Sequence, residues 1–257
     1  MRDAPKLEVR ELTVHYETPR GVLVALDRVS LVAPEGERIV VLGPSGCGKS
    51  TLLKAVGGFV KPSCGEIRVA GRLVTGPGPD RMMMFQEFDQ LLPWKTVLQN
   101  VTYAIEVTGR FARGEAGERA LEFLDAVGLY EFRDFYPHTL SGGMKQRAAM
   151  ARALAVGPDV LLMDEPFGSL DAQSREALQL ELLRVWEKTR TTIVFVTHSI
   201  DEAVLLGQQI LIMTESPGRM KQIMDNSVGS ADEGRTPEFW DVCREIRGLL
   251  QVPTMGA

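Results

Sequence analysis

A glycine-rich segment between residues 43 and 51 carries the residue types that bind phosphate groups. Gly43, Gly48, Lys49 and Ser50 fit the pattern G-x-x-x-x-G-K-[ST], which here follows an apolar run and precedes a helical one. Glycines allow backbone N–H groups to point at phosphate oxygens, the lysine supplies a positive charge for the β and γ phosphates, and the serine can ligate Mg²⁺. The segment predicts a nucleoside triphosphate site formed by Gly43, Pro44, Ser45, Gly46, Cys47, Gly48, Lys49, Ser50 and Thr51.

Two acidic residues and a histidine follow later apolar runs. Asp164 and Glu165 end the run that starts at Val160, and His198 follows the run 191–197. Because parallel strands deliver their carboxyl ends to one edge of a sheet, these side chains are expected near the phosphate loop. We expect Asp164 to hold Mg²⁺, Glu165 to polarise the attacking water as a general base, and His198 to reach the γ-phosphate.

A second candidate anion site lies within residues 140–147, which read LSGGMKQR. Ser141, Gly142 and Gly143 precede a helical run, so their N–H groups and the following helix N-terminus suit an anion. This loop belongs to a long helical stretch that is separate from the glycine-rich segment 43–51, which we call the lysine loop. It is therefore not expected to serve the phosphate bound by its own chain.

The hydrophobic pattern predicts an α/β fold. Period-two alternation near the N-terminus predicts antiparallel strands, whereas nearly continuous apolar runs predict strands buried on both faces of a parallel sheet. These runs are 38–42, 82–85, 160–163, 191–197 and 209–213. Helical spacing in the stretch 96–157 predicts a helical subdomain, about 88–157, inserted into the α/β core. Residues 1–225 are predicted to form one domain, and 226–257 a tail with one helix after the N-cap Thr236.

Composition places the chain among ordinary globular proteins. It has 257 residues, 44% of them hydrophobic, and a formal net charge of −5, unlike the strongly basic chains that bind nucleic acid. No apolar run approaches the roughly 18 residues that span a bilayer, and residues 1–10 show no secretory signal pattern. The cysteines Cys47, Cys64 and Cys243 lack metal-ligand spacing and are predicted to be small buried hydrophobic residues.

The order of these motifs resembles the nucleotide-binding subunit of ABC transporters over residues 7–225. The order is the lysine loop, the 140–147 segment, the pair Asp164-Glu165, the segment Ser169-Leu170-Asp171, and His198. The resemblance implies an ABC ATPase domain with a RecA-like parallel-sheet core, an antiparallel β subdomain and the inserted helical subdomain. It also implies an ATP hydrolase that uses ATP and Mg²⁺.

Further residues take their roles from the resemblance alone. Tyr16 corresponds to the aromatic residue that stacks on adenine, and Gln86 to the glutamine that contacts Mg²⁺ and the attacking water. The implied metal-binding residues are Ser50, Gln86 and Asp164, and the implied catalytic residues are Lys49, Gln86, Glu165 and His198.

The resemblance implies two ATPase subunits, identical or close paralogues, packed head to tail. Ser141, Gly142 and Gly143 of one subunit then close over ATP held by the lysine loop of the other, and Asp171 faces the partner. Met144 stands where the family commonly has Gln, which is expected to have at most a modest effect on hydrolysis.

Two segments are similar to ATP-binding subunits of importers for nitrate, sulfonates, taurine and bicarbonate. They are the stretch 77–101 and the signature loop Ser141-Gly142-Gly143, which is followed by Met144. That likeness implies transmembrane permease subunits, an extracytoplasmic solute-binding protein acting through the permease, and a peripheral position on the cytoplasmic face of the inner membrane. Leu91-Leu92-Pro93-Trp94 has two open interpretations. It is either part of a groove that accepts a short permease helix, with Trp94 as the anchor, or ordinary packing.

Other classes of protein fit this sequence less well. A soluble ABC ATPase acting on nucleic acid would carry a coiled-coil insertion or two cassettes, and this sequence has neither, so no nucleic-acid partner is expected. A P-loop GTPase or small-molecule kinase would not need LSGGMKQR, and an NKxD guanine motif is absent from the sequence. An importer ATPase for another solute, such as a vitamin precursor or an aromatic acid, remains an alternative.

Overall fold

The computed structural model describes residues 5–19, 21–86, 90–112, 114–168, 170–228 and 235–251. The chain divides into two compact units. The first consists of residues 1–78 and 192–257, and the second of residues 79–191. Along the sequence, the second unit is therefore inserted into the first.

Strands and helices alternate along much of the chain. The strands are β1 (Leu7–Thr18), β2 (Gly21–Ala33), β3 (Arg38–Leu42), β4 (Cys64–Val69), β5 (Arg72–Leu73), β6 (Arg81–Met84), β7 (Val160–Asp164), β8 (Thr192–Thr197), β9 (Gln209–Met213) and β10 (Met220–Asp225). The helices are α1 (Lys49–Val56), α2 (Val97–Thr108), α3 (Glu115–Ala126), α4 (Gly142–Ala155), α5 (Ala172–Thr189), α6 (Ile200–Leu206) and α7 (Pro237–Gln251). Within the described part of the chain, none of the helices combines the length and apolar character needed to cross a membrane.

An antiparallel sheet forms one layer of the first unit, with strand order β2-β1-β4-β5. Val9 of β1 lies opposite Leu31 of β2 on one side and Ile67 of β4 on the other, and all three side chains are buried. This alternation of buried and exposed residues is typical of a sheet with one face on the core. The predicted antiparallel strands near the N-terminus are confirmed.

A second group of strands in the first unit pairs around β3. Strand β3 lies between β8 and β9 and is parallel to both, while β10 pairs antiparallel with β9. Every residue of β3 and β8 is buried, as expected for strands covered on both faces. The predicted parallel-sheet character of these apolar runs is confirmed, and the α/β fold class with it.

The C-terminal helix α7 packs against α6 within the first unit. Phe239, Cys243 and Ile246 lie on one face of α7 and are at most 1% exposed. The helix begins at Pro237, as predicted, and the Thr236 hydroxyl accepts the backbone N–H of Phe239 at 3.4 Å. Burial raises the pKa of the Cys243 thiol to about 11, so this cysteine stays protonated at neutral pH.

The second unit combines two strands with four α-helices and two short 3-10 helices, Tyr130–Phe132 and Pro137–Thr139, in its described residues. Strands β6 and β7 pair in parallel, and helices α2, α3 and α4 pack against one another, with α4 also contacting α5. The compact unit thus extends beyond the helices. The boundaries 88–157 given above for the helical subdomain stay a prediction, and residues 88 and 89 lie outside the described part.

The cysteines only partly follow the prediction that all three are buried. Cys47 and Cys243 are buried, but Cys64 is exposed. Cys64 is the first residue of β4, where the sheet ends and the side chain lies beyond the core. The prediction was wrong for Cys64.

A buried asparagine holds the segment 92–96 against helix α2 in the second unit. The Asn100 side chain is fully buried, and its amide nitrogen donates to the carbonyl oxygens of Leu92, Lys95 and Thr96 at 3.0–3.1 Å. Its Oδ1 accepts the N–H of Leu92 at 2.7 Å. One side chain therefore satisfies the backbone on both sides of Trp94, whose own side chain is 70% exposed.

Replacing this asparagine tests its structural role. We expect Asn100→Ala to lower the free energy of unfolding by about 2–3 kcal/mol, because the part-buried N–H of Leu92 and carbonyl of Lys95 lose a hydrogen-bond partner. Urea unfolding followed by circular dichroism measures the change. Gln99→Ala, one residue away and exposed, removes half of a capping box and should cost about 1 kcal/mol or less. Equal losses in the two variants would contradict the role of Asn100.

Candidate functional site

The predicted phosphate loop joins β3 to α1 in the first unit. Ser45 and Gly46 at its tip are exposed, whereas Gly43, Cys47 and Lys49 are buried. The Lys49 ammonium donates to the carbonyl oxygens of Gly43 and Pro44, at 2.8 and 2.9 Å. The cation is thus held over its own loop. The first turn of α1 carries no acidic residue, so the positive end of the helix is not compensated by a side chain.

Two positions in this loop require glycine for steric reasons. Gly48 has a φ of 95°, and a Cβ there would lie 2.7 Å from the carbonyl oxygen of Ala25. A Cβ on Gly43 would lie 2.8 Å from the sulfur of Cys47 and 3.2 Å from the Cβ of Met213. The loop is therefore packed tightly against β2 and β9, which keeps its backbone N–H groups in place. Burial raises the pKa of the Cys47 thiol, so this cysteine fills space and is not a nucleophile.

Two further predicted residues lie near the loop in the first unit. The Tyr16 hydroxyl donates to the Thr51 hydroxyl oxygen at 3.4 Å, which brings the end of β1 beside the start of α1. Strands β3 and β8 are paired so that Leu42 lies opposite Thr197. Gly43 and His198 consequently leave the sheet at the same level, and the His198 side chain is exposed. The first unit therefore brings Tyr16 beside the lysine loop and His198 to the level where the loop begins, and their roles toward a nucleotide stay predictions.

The second unit brings Gln86 to the same level as the acidic pair. Strands β6 and β7 are paired with Met84 opposite Met163, so the residues after them leave this strand pair together. Asp164 is the last residue of β7 and is only 7% exposed, whereas Gln86 is exposed. Residues 87–89, just after Gln86, lie outside the described part of the chain.

The backbone of Glu165 adopts a conformation that is uncommon for a side-chain-bearing residue. Its φ is 44°, in the left-handed region. Such a conformation costs on the order of 1–3 kcal/mol and is enriched at functional sites, although this chain also has it at Glu11, Arg28, Ala70 and Arg190. Arg175 of α5 donates to the carbonyl oxygens of Phe167 and Leu170, at 3.3 and 2.9 Å, and thereby holds the segment that follows. Ser169, within that segment, lies outside the described residues.

The 140–147 segment forms an exposed helix N-terminus in the second unit. Ser141 is the N-cap of α4, and its hydroxyl accepts the N–H of Met144 at 3.3 Å. The first turn of α4 contains no acidic residue, which leaves the positive end of this helix open to an anion. Gly142 and Gly143 are the first residues of α4, so only Ser141 of the predicted loop precedes the helix, and its anion binding stays a prediction.

Asp171 lies beside this segment, within the same unit. It is the exposed N-cap of α5, and its Oδ1 accepts the N–H of Ser174 at 3.0 Å. That hydrogen bond holds the pKa of the Asp171 carboxyl below its usual value, so the group stays ionised at neutral pH. A Cβ on Gly143 would lie 3.7 Å from the Cβ of Ser174, so the starts of α4 and α5 are adjacent.

Sequence reasoning missed several residues that hold these loops. Gln90 exchanges two hydrogen bonds with the backbone of Phe85, at 2.9 and 2.6 Å, beside Gln86. Arg152 of α4 donates to the carbonyl oxygen of Gln90 at 2.6 Å, and burial lowers the pKa of this guanidinium. The contact between Arg152 and Gln90 joins residues 62 positions apart, and no local spacing in the sequence predicts it. The residues that follow His198 could have been found from the sequence, because Ser199 and Glu202 fit the S-x-x-E capping pattern.

The donor atoms predicted for a metal suit magnesium. Ser50, Asp164 and Gln86 offer hydroxyl, carboxylate and amide oxygens, and Mg²⁺ prefers hard oxygen ligands together with phosphate oxygens and water. Within the described residues there is no group of three or more His, Cys, Asp or Glu side chains placed to form a protein-only metal cage. A site completed by a nucleotide fits this donor set.

Comparison with known proteins agrees with the motifs. A family model described as ABC transporter matches residues 26–168. A taurine import ATP-binding protein of Rhizobium johnstonii is 46% identical over 95% of this chain and 96% of its own. A bicarbonate transport ATP-binding protein of Synechococcus elongatus is 48% identical over 83% of this chain and 77% of its own.

A solved structure matches the fold as well. The ATP-binding cassette MJ0796, dimeric in a post-hydrolysis state with ADP and Pi, superposes with a TM-score of 0.72 at 31% identity, covering 85% of this chain and 98% of its own. The predicted likeness to ATP-binding subunits of the nitrate, sulfonate, taurine and bicarbonate importer group is confirmed. The chain therefore belongs to the ABC transporter family, as an ATP-binding and ATP-hydrolysing subunit.

Proposed function

We propose that this subunit couples ATP-driven closure of a dimer to the uptake of a small anionic solute. The observation that carries the proposal is the pair of helix N-termini whose first turns carry no acidic residue, one at the lysine loop and one at Ser141. Each suits the phosphates of a nucleotide. Two relatives are ATP-binding proteins of taurine import and bicarbonate transport, which supports the solute class.

Hydrolysis requires positioning and charge neutralisation at the γ-phosphate, with no covalent step on the protein. The lysine loop grips the triphosphate through backbone N–H groups and the Lys49 ammonium, and Tyr16 stacks on the adenine. His198, exposed at the level of Gly43, donates to the γ-phosphate. Mg²⁺, held by Ser50, Asp164 and Gln86, supplies charge neutralisation when bound.

Glu165 serves as the general base. A carboxylate in this role orients the attacking water and accepts its proton. The left-handed backbone at Glu165 supports the assignment, because the chain maintains an unfavourable conformation at that residue. The neighbouring Gln86 orients the same water, supported by its position opposite the acidic pair at the ends of β6 and β7.

The second half of each ATP site comes from a partner ATPase subunit, identical or a close paralogue. Ser141, Gly142 and Gly143 of one subunit bind the nucleotide held by the lysine loop of the other, and Asp171 faces the partner across the interface. The adjacency of Gly143 and Ser174 supports this arrangement, because it places the signature loop and Asp171 on one exposed surface. The dimeric state of the related cassette MJ0796 supports it too.

The remaining partners are transmembrane permease subunits and, through them, an extracytoplasmic solute-binding protein. The subunit is peripheral, on the cytoplasmic face of the inner membrane. The 70% exposure of Trp94 supports its role as an anchor for a permease helix. Exposed aromatic residues of the same unit provide further apolar surface, namely Tyr103, Tyr130, Phe132, Phe135 and Tyr136.

Lys49→Ala tests the nucleotide grip. We expect ATPase activity to fall about 10²–10³-fold, because the γ-phosphate loses a preorganised positive charge. A phosphate-release assay on the purified chain measures the loss. Lys54→Ala is the matched control, since Lys54 lies in the last turn of the same helix and is exposed. Activity near that of the unmodified protein in Lys49→Ala would refute the assignment.

Glu165→Gln separates nucleotide binding from hydrolysis. The amide cannot accept a proton, so the variant should bind ATP and accumulate as a dimer. Gel filtration with saturating ATP and Mg²⁺, coupled to light scattering, reports the mass. Glu176→Gln, an exposed change on α5, should remain monomeric under the same conditions. A monomeric profile for Glu165→Gln would count against the closed dimer.

The solute class is tested on the complete transporter. The complex is purified from native membranes through a tag on this subunit, and its solute-binding protein is screened by thermal shift. We expect stabilisation by taurine, an alkanesulfonate, nitrate or bicarbonate. Stabilisation only by an aromatic acid or a vitamin precursor would replace the anionic solute, while leaving the ATPase assignment intact.

A further inference from the structure

A set of hydrogen bonds encloses His198 in the turn between β8 and α6. The Thr197 hydroxyl donates to Oε2 of Glu202 at 2.6 Å, and the backbone N–H of Ser199 donates to the same hydroxyl oxygen at 3.0 Å. The Ser199 hydroxyl, as N-cap of α6, accepts the N–H of Glu202 at 3.3 Å. These bonds connect the residues on both sides of His198 to the first turn of α6.

The polarity of this set is determined by its chemistry. A backbone N–H can only donate, so the Thr197 hydroxyl oxygen accepts from Ser199 and its single proton is directed toward Oε2 of Glu202. A distance of 2.6 Å is typical of a hydroxyl bound to a charged oxygen, which is about twice as strong as a neutral hydrogen bond.

Burial strengthens these bonds without covering the histidine. Thr197 is 2% exposed and Glu202 is 7% exposed, whereas His198 between them is exposed. Water competes little for the buried hydroxyl and carboxylate, so their bond is retained. Glu202 also lies in the first turn of α6, where a negative charge is favoured by the helix dipole. The turn is rigid on its inner side and presents His198 to solvent on its outer side.

We propose that Glu202 and Thr197 are positioning residues for ATP hydrolysis, which hold His198 at the level of the lysine loop. The inference rests on the proposed role of His198 toward the γ-phosphate. Leu42 lies opposite Thr197, so the turn that carries His198 starts beside the residue that precedes Gly43. Helix α6 also packs against β3, the strand that leads into the lysine loop. Losing the hydroxyl–carboxylate bond frees the backbone of the turn and displaces the imidazole, and a displacement of about 1 Å can cost roughly 10²-fold in rate.

Two nearly isosteric variants remove this bond by different routes. Thr197→Val deletes the hydroxyl and keeps the side-chain shape, and we expect kcat for ATP hydrolysis to fall about tenfold or more. The KM for ATP should stay within about twofold, because Lys49 and the loop amides still bind the triphosphate. Glu202→Gln weakens the bond by removing its charge and should lower kcat less. Thr197→Ser retains the hydroxyl and should restore most of the activity.

The decisive measurement uses His198→Ala as a background. If Glu202 and Thr197 act through His198, adding Thr197→Val or Glu202→Gln to His198→Ala should lower kcat by at most about another twofold. If their effect multiplies with that of His198→Ala, the residues act independently of the histidine and the inference is overturned. Unchanged kcat in both Thr197→Val and Glu202→Gln overturns it as well.

Asn226→Ala controls for general loosening of helix α6. The Asn226 amide donates to the carbonyl oxygens of Val204 and Gly207, both at 2.7 Å, at the far end of that helix. We expect this variant to lower the melting temperature while leaving kcat within about twofold. A loss of kcat in Asn226→Ala equal to that in Thr197→Val would assign the effect to α6 stability and overturn the inference.

The same assays separate this inference from the proposed function. If Lys49→Ala is inactive and His198→Ala is fully active, this inference and the proposed role of His198 both fail, while the assignment of the nucleotide site stands. If Lys49→Ala retains activity, the nucleotide assignment fails first. If Thr197→Val does not fold, Glu202→Gln still tests the inference, alone and combined with His198→Ala. Glu202→Gln preserves the volume of the buried side chain.

Discussion

Parallel pairing between strands that end at the same level is the constraint on which the site depends. In a parallel pair, both chains run in the same direction, so the loops that follow the two strands begin side by side. In the first unit this applies to Leu42 and Thr197, and in the second to Met84 and Met163. The lysine loop, His198, Gln86 and the acidic pair each start one or two residues beyond these positions. The positions of these chemical groups are therefore determined by where the buried strands end.

The loops are held by polar contacts to the backbone. Lys49 binds the carbonyl oxygens of Gly43 and Pro44, Arg175 binds those of Phe167 and Leu170, and Asn100 binds those around Trp94. In each case a side chain from a helix adds hydrogen bonds to the carbonyl groups of an irregular segment. This arrangement lets irregular segments keep one conformation, including the left-handed backbone at Glu165.

Much of the fold could be predicted because its signals are local. The run 38–42 and the run 209–213 coincide with β3 and β9, since continuous apolar residues are required where both faces of a strand are covered. The glycines of the lysine loop were predictable from their spacing. The sequence could not place Cys64 on the surface, because its exposure depends on where the antiparallel sheet ends. The contact from Arg152 to Gln90 spans 62 residues, and no periodicity reports it.

The same distinction explains which parts of the candidate site were found. Ser141 and Asp171 are N-caps, and residues of this type at a helix start are readable from sequence. That their two helices begin beside each other, with Gly143 against Ser174, is a tertiary fact. This adjacency connects the signature loop, through α5, to the segment that follows Glu165 in the second unit. The signature loop contacts the start of α5, and Arg175 on the first turns of α5 binds the segment that follows Glu165. Ser141 thus lies a short chain of contacts away from the residue proposed to activate water, and each contact in that chain can be removed one at a time.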